Sequence, residues 1–197
     1  MRFSVGDKIM HPQYGPGHII GVEHRELVEG FEHYHVIELL MDQSTLYIPM
    51  RKMDELGVRP VMSQAKLARV LTTLRGVPQR LSKDFKVRQA RIRKKLATAH
   101  PVKLAEAVRD LTGRNQRSHL TKVDRTLLNR GRELLAAEMA LATGTDIIHA
   151  HQTMDSALES GEARESATTA PPSNVALASE QRTLVQRLYR RVRNNAG

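Results

Sequence analysis

Hydrophobic and polar positions change period near residue 62. Before it, short apolar runs alternate with polar residues and are divided by turn chemistry, which predicts strands near 3–10, 18–26, 33–40 (HYHVIELL) and 44–50 (STLYIPM). Pro12, Gly15, Pro16 and Gly17 mark the first turn, Gly30 ends the second strand, and Met41-Asp42-Gln43 separates the last two. Several short strands at this spacing predict a small antiparallel barrel. Pro49 has no N–H for a ladder, so the strand either ends there or lies at a sheet edge, and an exposed edge is where another protein's strand can add.

After GVRPV (57–61) the period becomes helical. Leu67, Val70, Leu71 and Leu74 form one stripe of MSQAKLARVLTTLRG (62–76), with Ser63 as the N-cap and Gly76 as the stop. Ser82 is read as the cap of a second helix through about Ala99, with Asp84 in its first turn. Pro101 suits the first turn of a third, ending near Thr112, and residues 115–120 read as a polar loop. Thr121 and Asp124 have capping-box spacing and open a fourth helix to about Leu141. GTDIIHAHQTMDSALES supplies one more amphipathic helix. The predicted fold class is α+β in two domains: a barrel over residues 1–61 and a helical bundle over 62–160. The Ser/Ala/Pro/Thr-rich stretch 161–178 reads as a flexible linker, and 179–197 as a short basic helix and tail.

Charge sharpens this division. The net charge is +10, yet through residue 60 six Lys and Arg are outnumbered by nine acids. Between residues 63 and 117, fifteen Lys and Arg face only Asp84, Glu106 and Asp110. That segment calls for a polyanion. With 0 cysteines, disulfides and zinc–thiolate sites are excluded, which fits a reducing cytoplasm. No apolar stretch approaches the length of a membrane span and no signal peptide is expected, so no membrane partner is foreseen.

Candidate chemistry gathers in SKDFKVRQARIRKKL (82–96), where Phe85 precedes a basic run without acids. At about 100° per residue, Ile92 and Leu96 fall within about 20° of Phe85. Phe85 therefore either closes the apolar stripe of its helix or projects past it as a prong among cations. Lys83, Lys86, Arg88, Arg91, Arg93, Lys94 and Lys95 are the candidate phosphate contacts, in sequence-tolerant, salt-sensitive binding. His33 and His35, like His149 and His151, lack a third ligand at metal spacing, so no metal or cofactor is expected. GPG (15–17) is turn chemistry rather than a phosphate loop, and no nucleophile–base pair or carboxylate pair points to an enzyme.

Several fragments share one resemblance. FSVGDKIMHPQYGPGHI, IPMRKMDELGVRPV, HPVKLAEAVRDL and LLNRGRELLAAEMALA, in that order over roughly residues 1–143, resemble the CarD/CdnL family of bacterial transcription regulators. The resemblance implies a Tudor-like domain docking on the RNA polymerase β subunit and a helical domain at promoter DNA. There the family's Trp enters the minor groove at the upstream edge of the transcription bubble. That Trp position falls on Phe85, which favours the prong, as a wedge flanked by phosphate contacts. The polymerase contacts implied are Arg25 and, on the edge strand, Thr45, Tyr47 and Pro49, with Tyr47 where relatives often carry Arg. Implied too are a cytoplasmic, nucleoid-associated location and action on open-complex stability, with a monomer as the simpler expectation. The competing reading is a general adaptor whose small barrel itself binds RNA or DNA, against which the acidic balance of residues 1–60 counts.

Overall fold

The computed structural model describes residues 3–169, with side chains described as far as Gly161. Five strands come first: β1 (Lys8–His11), β2 (Gly15–Val28), β3 (Phe31–Leu39), β4 (Thr45–Pro49) and β5 (Arg59–Pro60). All pairings are antiparallel, in the order β4-β3-β2-β1-β5. The expected barrel is thus an open sheet, because β4 and β5 are not paired with each other. Residues 3–7 do not join β1: the Ser4 amide donates to the Asp7 carboxylate at 2.8 Å, closing a turn that delays the strand to Lys8. β5, two residues long, is too short to signal itself by alternation.

β2 and β3 form a long ribbon closed by Glu29 and Gly30, the latter at φ +83°, which glycine adopts without steric cost. At Gly17 the two strands approach so closely that a Cβ would lie 2.5 Å from the Glu38 carbonyl oxygen. The inward face buries Phe3, Ile9, Ile19, Ile37, Leu39, Ile48, Met53 and Val58 in one small core. Each such side chain contributes roughly 1.5–3 kcal/mol.

Five helices follow: α1 (Gln64–Leu74), α2 (Phe85–Ala97), α3 (Pro101–Arg117), α4 (Lys122–Thr143) and α5 (Ile147–Thr169). Ser63 caps α1, and Thr121 with Asp124 forms the expected capping box of α4, which ends at Gly144 with φ +72°. α2 begins later than expected. Its cap is Asp84, which accepts from the Lys86 and Val87 amides at 2.7 and 3.4 Å, and not Ser82. α3 continues past Thr112 to Arg117 because Gly113 sits inside the helix beneath Pro78. α5 carries the helix to Thr169, into the stretch read as a linker; residues 170–178 and the expected basic helix at 179–193 lie outside the described residues.

Residues 3–162 belong to one compact unit. The second, larger core comprises Leu67, Val70, Leu74, Ile92, Leu96, Leu104, Val108, Leu111, Leu134, Leu135 and Met154 among others, and β1 contributes Met10 to it. Side chains tie sheet to helices as well. Arg59 of β5 pairs with the fully buried Glu138 of α4 at 2.6 and 2.9 Å and also donates to the Ala99 carbonyl beyond α2. Glu138 further accepts from the Met62 amide at 2.9 Å. Lys8 donates to the Leu141 carbonyl at 2.8 Å, and Arg130 to that of Gln13 at 2.6 Å.

Candidate nucleic-acid interface

α2 is amphipathic in an unusual way, since its buried arc includes an arginine. Ile92 is 0% exposed and Leu96 7%, and beside them lie Gln89 and Arg88 at 7% and 2%. On the wheel Arg88 falls about 40° from Ile92, so its guanidinium is carried inward toward the start of α4. There it meets Asp124, which is 0% exposed, donating through Nε at 3.2 Å to each carboxylate oxygen and through Nη2 at 2.7 Å. Its Nη1 donates to the Ser82 and Lys83 carbonyls at 2.7 and 3.1 Å. Burial pushes the Asp124 carboxyl up, but hydrogen bonds from Arg88 and Thr121 and the Arg88 charge outweigh it and hold the group below its ordinary value. Arg88 is therefore withdrawn from the DNA-contact set: its donors are consumed inside the fold.

Lys95 is also turned inward. It reaches Glu106 at 3.1 Å and Asp110 at 3.4 Å, both on α3, with its side chain only 19% exposed. Asp110 is a buried hub that also accepts from Arg109 and, at 3.0 Å, from the Gln79 amide. Lys95 and Arg88 thus join α2 to its neighbours, and a phosphate would have to displace those bonds.

The remaining expected contacts face outward. Lys83, Lys86, Arg91, Arg93 and Lys94 are exposed. Phe85 is 52% exposed although it shares its angular position with Ile92 and Leu96. As the first residue of α2, it lies axially beyond the core that those two enter. The arrangement is an aromatic ring at a helix N-terminus among outward cations, on a segment pinned from behind by Arg88. Sequence reasoning missed three cations that gather beside Lys83: Arg80, from the same connecting segment, and Arg114 and Arg117, from the end of α3. They come from two stretches more than thirty residues apart, and only their excess over acids was visible.

On the sheet, β4 is an edge strand, bonded to β3 alone. Thr45 is exposed, while Tyr47 and Pro49 are partly so. Arg25 and Tyr47 come together, the guanidinium lying over the ring at 5.2 Å. Arg25 also pairs with Glu23, so part of its charge is met within β2. Val22, Leu27 and Val28, all on β2, are about half exposed. His33 and His35 part company: the His33 ring stacks with His24 at 5.0 Å, whereas His35 is buried, and that burial holds its pKa below the ordinary value. Among the described residues no three His, Cys, Asp or Glu side chains form a group able to hold a metal, and no helix is long and apolar enough to cross a membrane.

Comparison with known proteins divides the chain at nearly the same place as its periodicity does. Residues 3–62 match the model of the CarD-like/TRCF RID domain, and residues 69–155 match that of the CarD C-terminal domain. A curated relative from Bacillus subtilis (strain 168), named "Putative transcription factor YdeB", is 29% identical over 143 residues, covering 72% of this chain and 93% of its own.

Proposed function

The chain belongs to the CarD-like family of transcription factors, and from that premise we propose that it docks on the β subunit of bacterial RNA polymerase and holds promoter DNA at the upstream edge of the transcription bubble. The observation that carries this reading is Phe85, which stands half exposed at the start of α2 among Lys83, Lys86, Arg91, Arg93 and Lys94. An apolar ring inserted from the minor groove unstacks a base step, and neighbouring cations offset that cost through backbone contacts. Melted or fork DNA presents a step that costs less to open, so binding favours the open complex and shifts promoter melting toward it. Nothing in this action needs a reacting group, and the protein acts as a non-enzymatic, cytoplasmic, nucleoid-associated factor.

Docking is assigned to the β4 edge and to Arg25. Thr45, Tyr47 and Pro49 lie on that edge, and Arg25 against Tyr47 presents a cationic, aromatic surface suited to a protein partner. The acidic balance of the first 60 residues suits a protein partner better than a nucleic acid.

The test is the lifetime of open complexes formed with full-length protein on a linear promoter. Ring–base stacking contributes about 1–3 kcal/mol, so Phe85→Ala should shift the lifetime by about fivefold or more from that given by the wild type. An unchanged lifetime would remove the wedge. Arg25→Glu should reduce recovery of polymerase while leaving affinity for forked DNA intact; equal recovery would remove the docking assignment.

A further inference from the structure

Arg80 and Lys83, on the segment leading into α2, and Arg114 and Arg117, in the last turn of α3, line a single open notch of about 360 Å³ with Leu81 and Ser118. No carboxylate among the described residues lines it. Among the described residues Arg80, Lys83 and Arg114 make no ion pair, and the buried Nε of Arg114 has no acceptor. Arginines in a final helical turn favourably meet the negative end of the helix dipole. That accounts for Arg114 and Arg117 but not for Arg80 and Lys83, which arrive on a different segment.

Both walls of the notch are held in place. Pro78 seats on Gly113, the Gln79 amide donates to Asp110 at 3.0 Å, and Arg88 holds the Ser82 and Lys83 carbonyls. Arg80, Lys83 and Arg114 thus bring like charge from two held walls to one concavity, where an anion would relieve their mutual repulsion. Guanidinium forks match the tetrahedral oxygens of a phosphate. Lys83 is two residues from Phe85, a span of at most about 7 Å, so the notch lies within reach of the strand whose bases would meet the ring.

We propose that this notch seats a backbone phosphate of the DNA strand passing Phe85, an assignment that rests on the DNA-holding role proposed above. The ring would set where the duplex is opened, and the notch would fix the strand's path from that point. Its chemistry would also admit free phosphate, and the test separates the two sources.

The experiment measures binding of full-length protein to a fluorescent forked duplex across a salt series. Wild type is compared with Arg80→Gln/Arg114→Gln, Arg80→Gln/Lys83→Gln and Phe85→Ala. Losing one phosphate contact lowers the slope of log affinity against log salt by about 0.7–0.9. Both double variants should show that drop, whereas Phe85→Ala should weaken binding at an unchanged slope. The second pair alters only exposed side chains, so it stays informative if Arg114→Gln perturbs α3. Wild-type slope in both double variants would overturn the notch, and with it the Lys83 contact, while leaving the DNA-holding role of Phe85, Lys86, Arg91, Arg93 and Lys94 intact. Failure of the wild type to bind the fork would overturn both. In a parallel titration, inorganic phosphate that shifts the Arg114 Nε–H resonance, with slopes unchanged by the substitutions, would assign the notch to free phosphate and overturn the backbone seat.

Discussion

Replacing Arg88 by Met separates two roles that its sequence context makes indistinguishable. Inside the fold, Arg88 makes three bonds to Asp124 and two to the backbone at Ser82 and Lys83, with 2% of it exposed. Truncation strands a fully buried carboxylate that keeps only Thr121 as a donor, and it frees the two carbonyls that set the start of α2. Removing one partner of a buried pair costs about 3–5 kcal/mol. At about 2–4 °C per kcal/mol for a unit of this size, the melting temperature should fall by roughly 6–20 °C. The pair Arg88→Met/Asp124→Leu should recover most of that loss, since apolar replacement of both charges is often near neutral. What remains is the α4 cap, about 1 kcal/mol. Denaturant unfolding of the two single variants and the double supplies the cycle, and the salt dependence of fork binding supplies the contrast. A buried pin predicts lost stability with an unaltered salt slope. Near-wild-type stability in Arg88→Met, coupled to a slope reduced by about 0.7–0.9, would refute the pin and return Arg88 to the proposed DNA contacts.

Three other outcomes follow from particular contacts. Gly113→Ala places a Cβ 2.3 Å from the Pro78 Cβ, so despite alanine's better helix propensity it should destabilise by about 1–3 kcal/mol; a gain in melting temperature would show that the 77–83 segment is free to lift. Glu138→Ala strips Arg59 and the Met62 amide of their shared acceptor and should cost about 3–5 kcal/mol in chemical denaturation; a loss below about 1 kcal/mol would mean that β5 is not anchored there. For Asp124 the folded-state pKa lies below the unfolded value of about 3.9, so its contribution is complete above that value and is lost as pH falls through the lowered one. The stability gap between wild type and Asp124→Asn should therefore narrow as pH falls from about 5 toward 2, and a gap independent of pH would contradict the lowered carboxyl.

What was legible in the sequence was mostly local. Ser63 before an apolar stripe, Pro101 at a first turn and the Thr121/Asp124 spacing each signal a helix start from a few residues, and each holds in the structure. Ser82 and Asp84 are both good caps, and nothing local chooses between them. The choice falls to Asp84 because Arg88 engages the carbonyls of residues 82 and 83 and keeps them out of the helix. The third helix, expected to end near Thr112, runs on to Arg117, where packing of Gly113 against Pro78 overrides glycine's poor propensity. The basic run was read as one surface although it has two sides. Arg88 and Lys95 fall beside Ile92 on the wheel, a signal present in the sequence, but their partners Asp124, Glu106 and Asp110 lie on other helices and so are not marked by spacing. Arg25 and Tyr47 are likewise brought together by the sheet alone.

The joints between sheet and helices bear on how force would travel. Met10 enters the helical core, Arg59 locks to Glu138, and Lys8 and Arg130 clasp carbonyls across the boundary. The span from the β4 rim to the Phe85 ring is consequently a built-in dimension rather than a hinge setting. Under the proposed docking, with polymerase held at the β4 rim and a duplex at Phe85, the compliant component is the DNA, and a mismatch in length is taken up as its bending or untwisting.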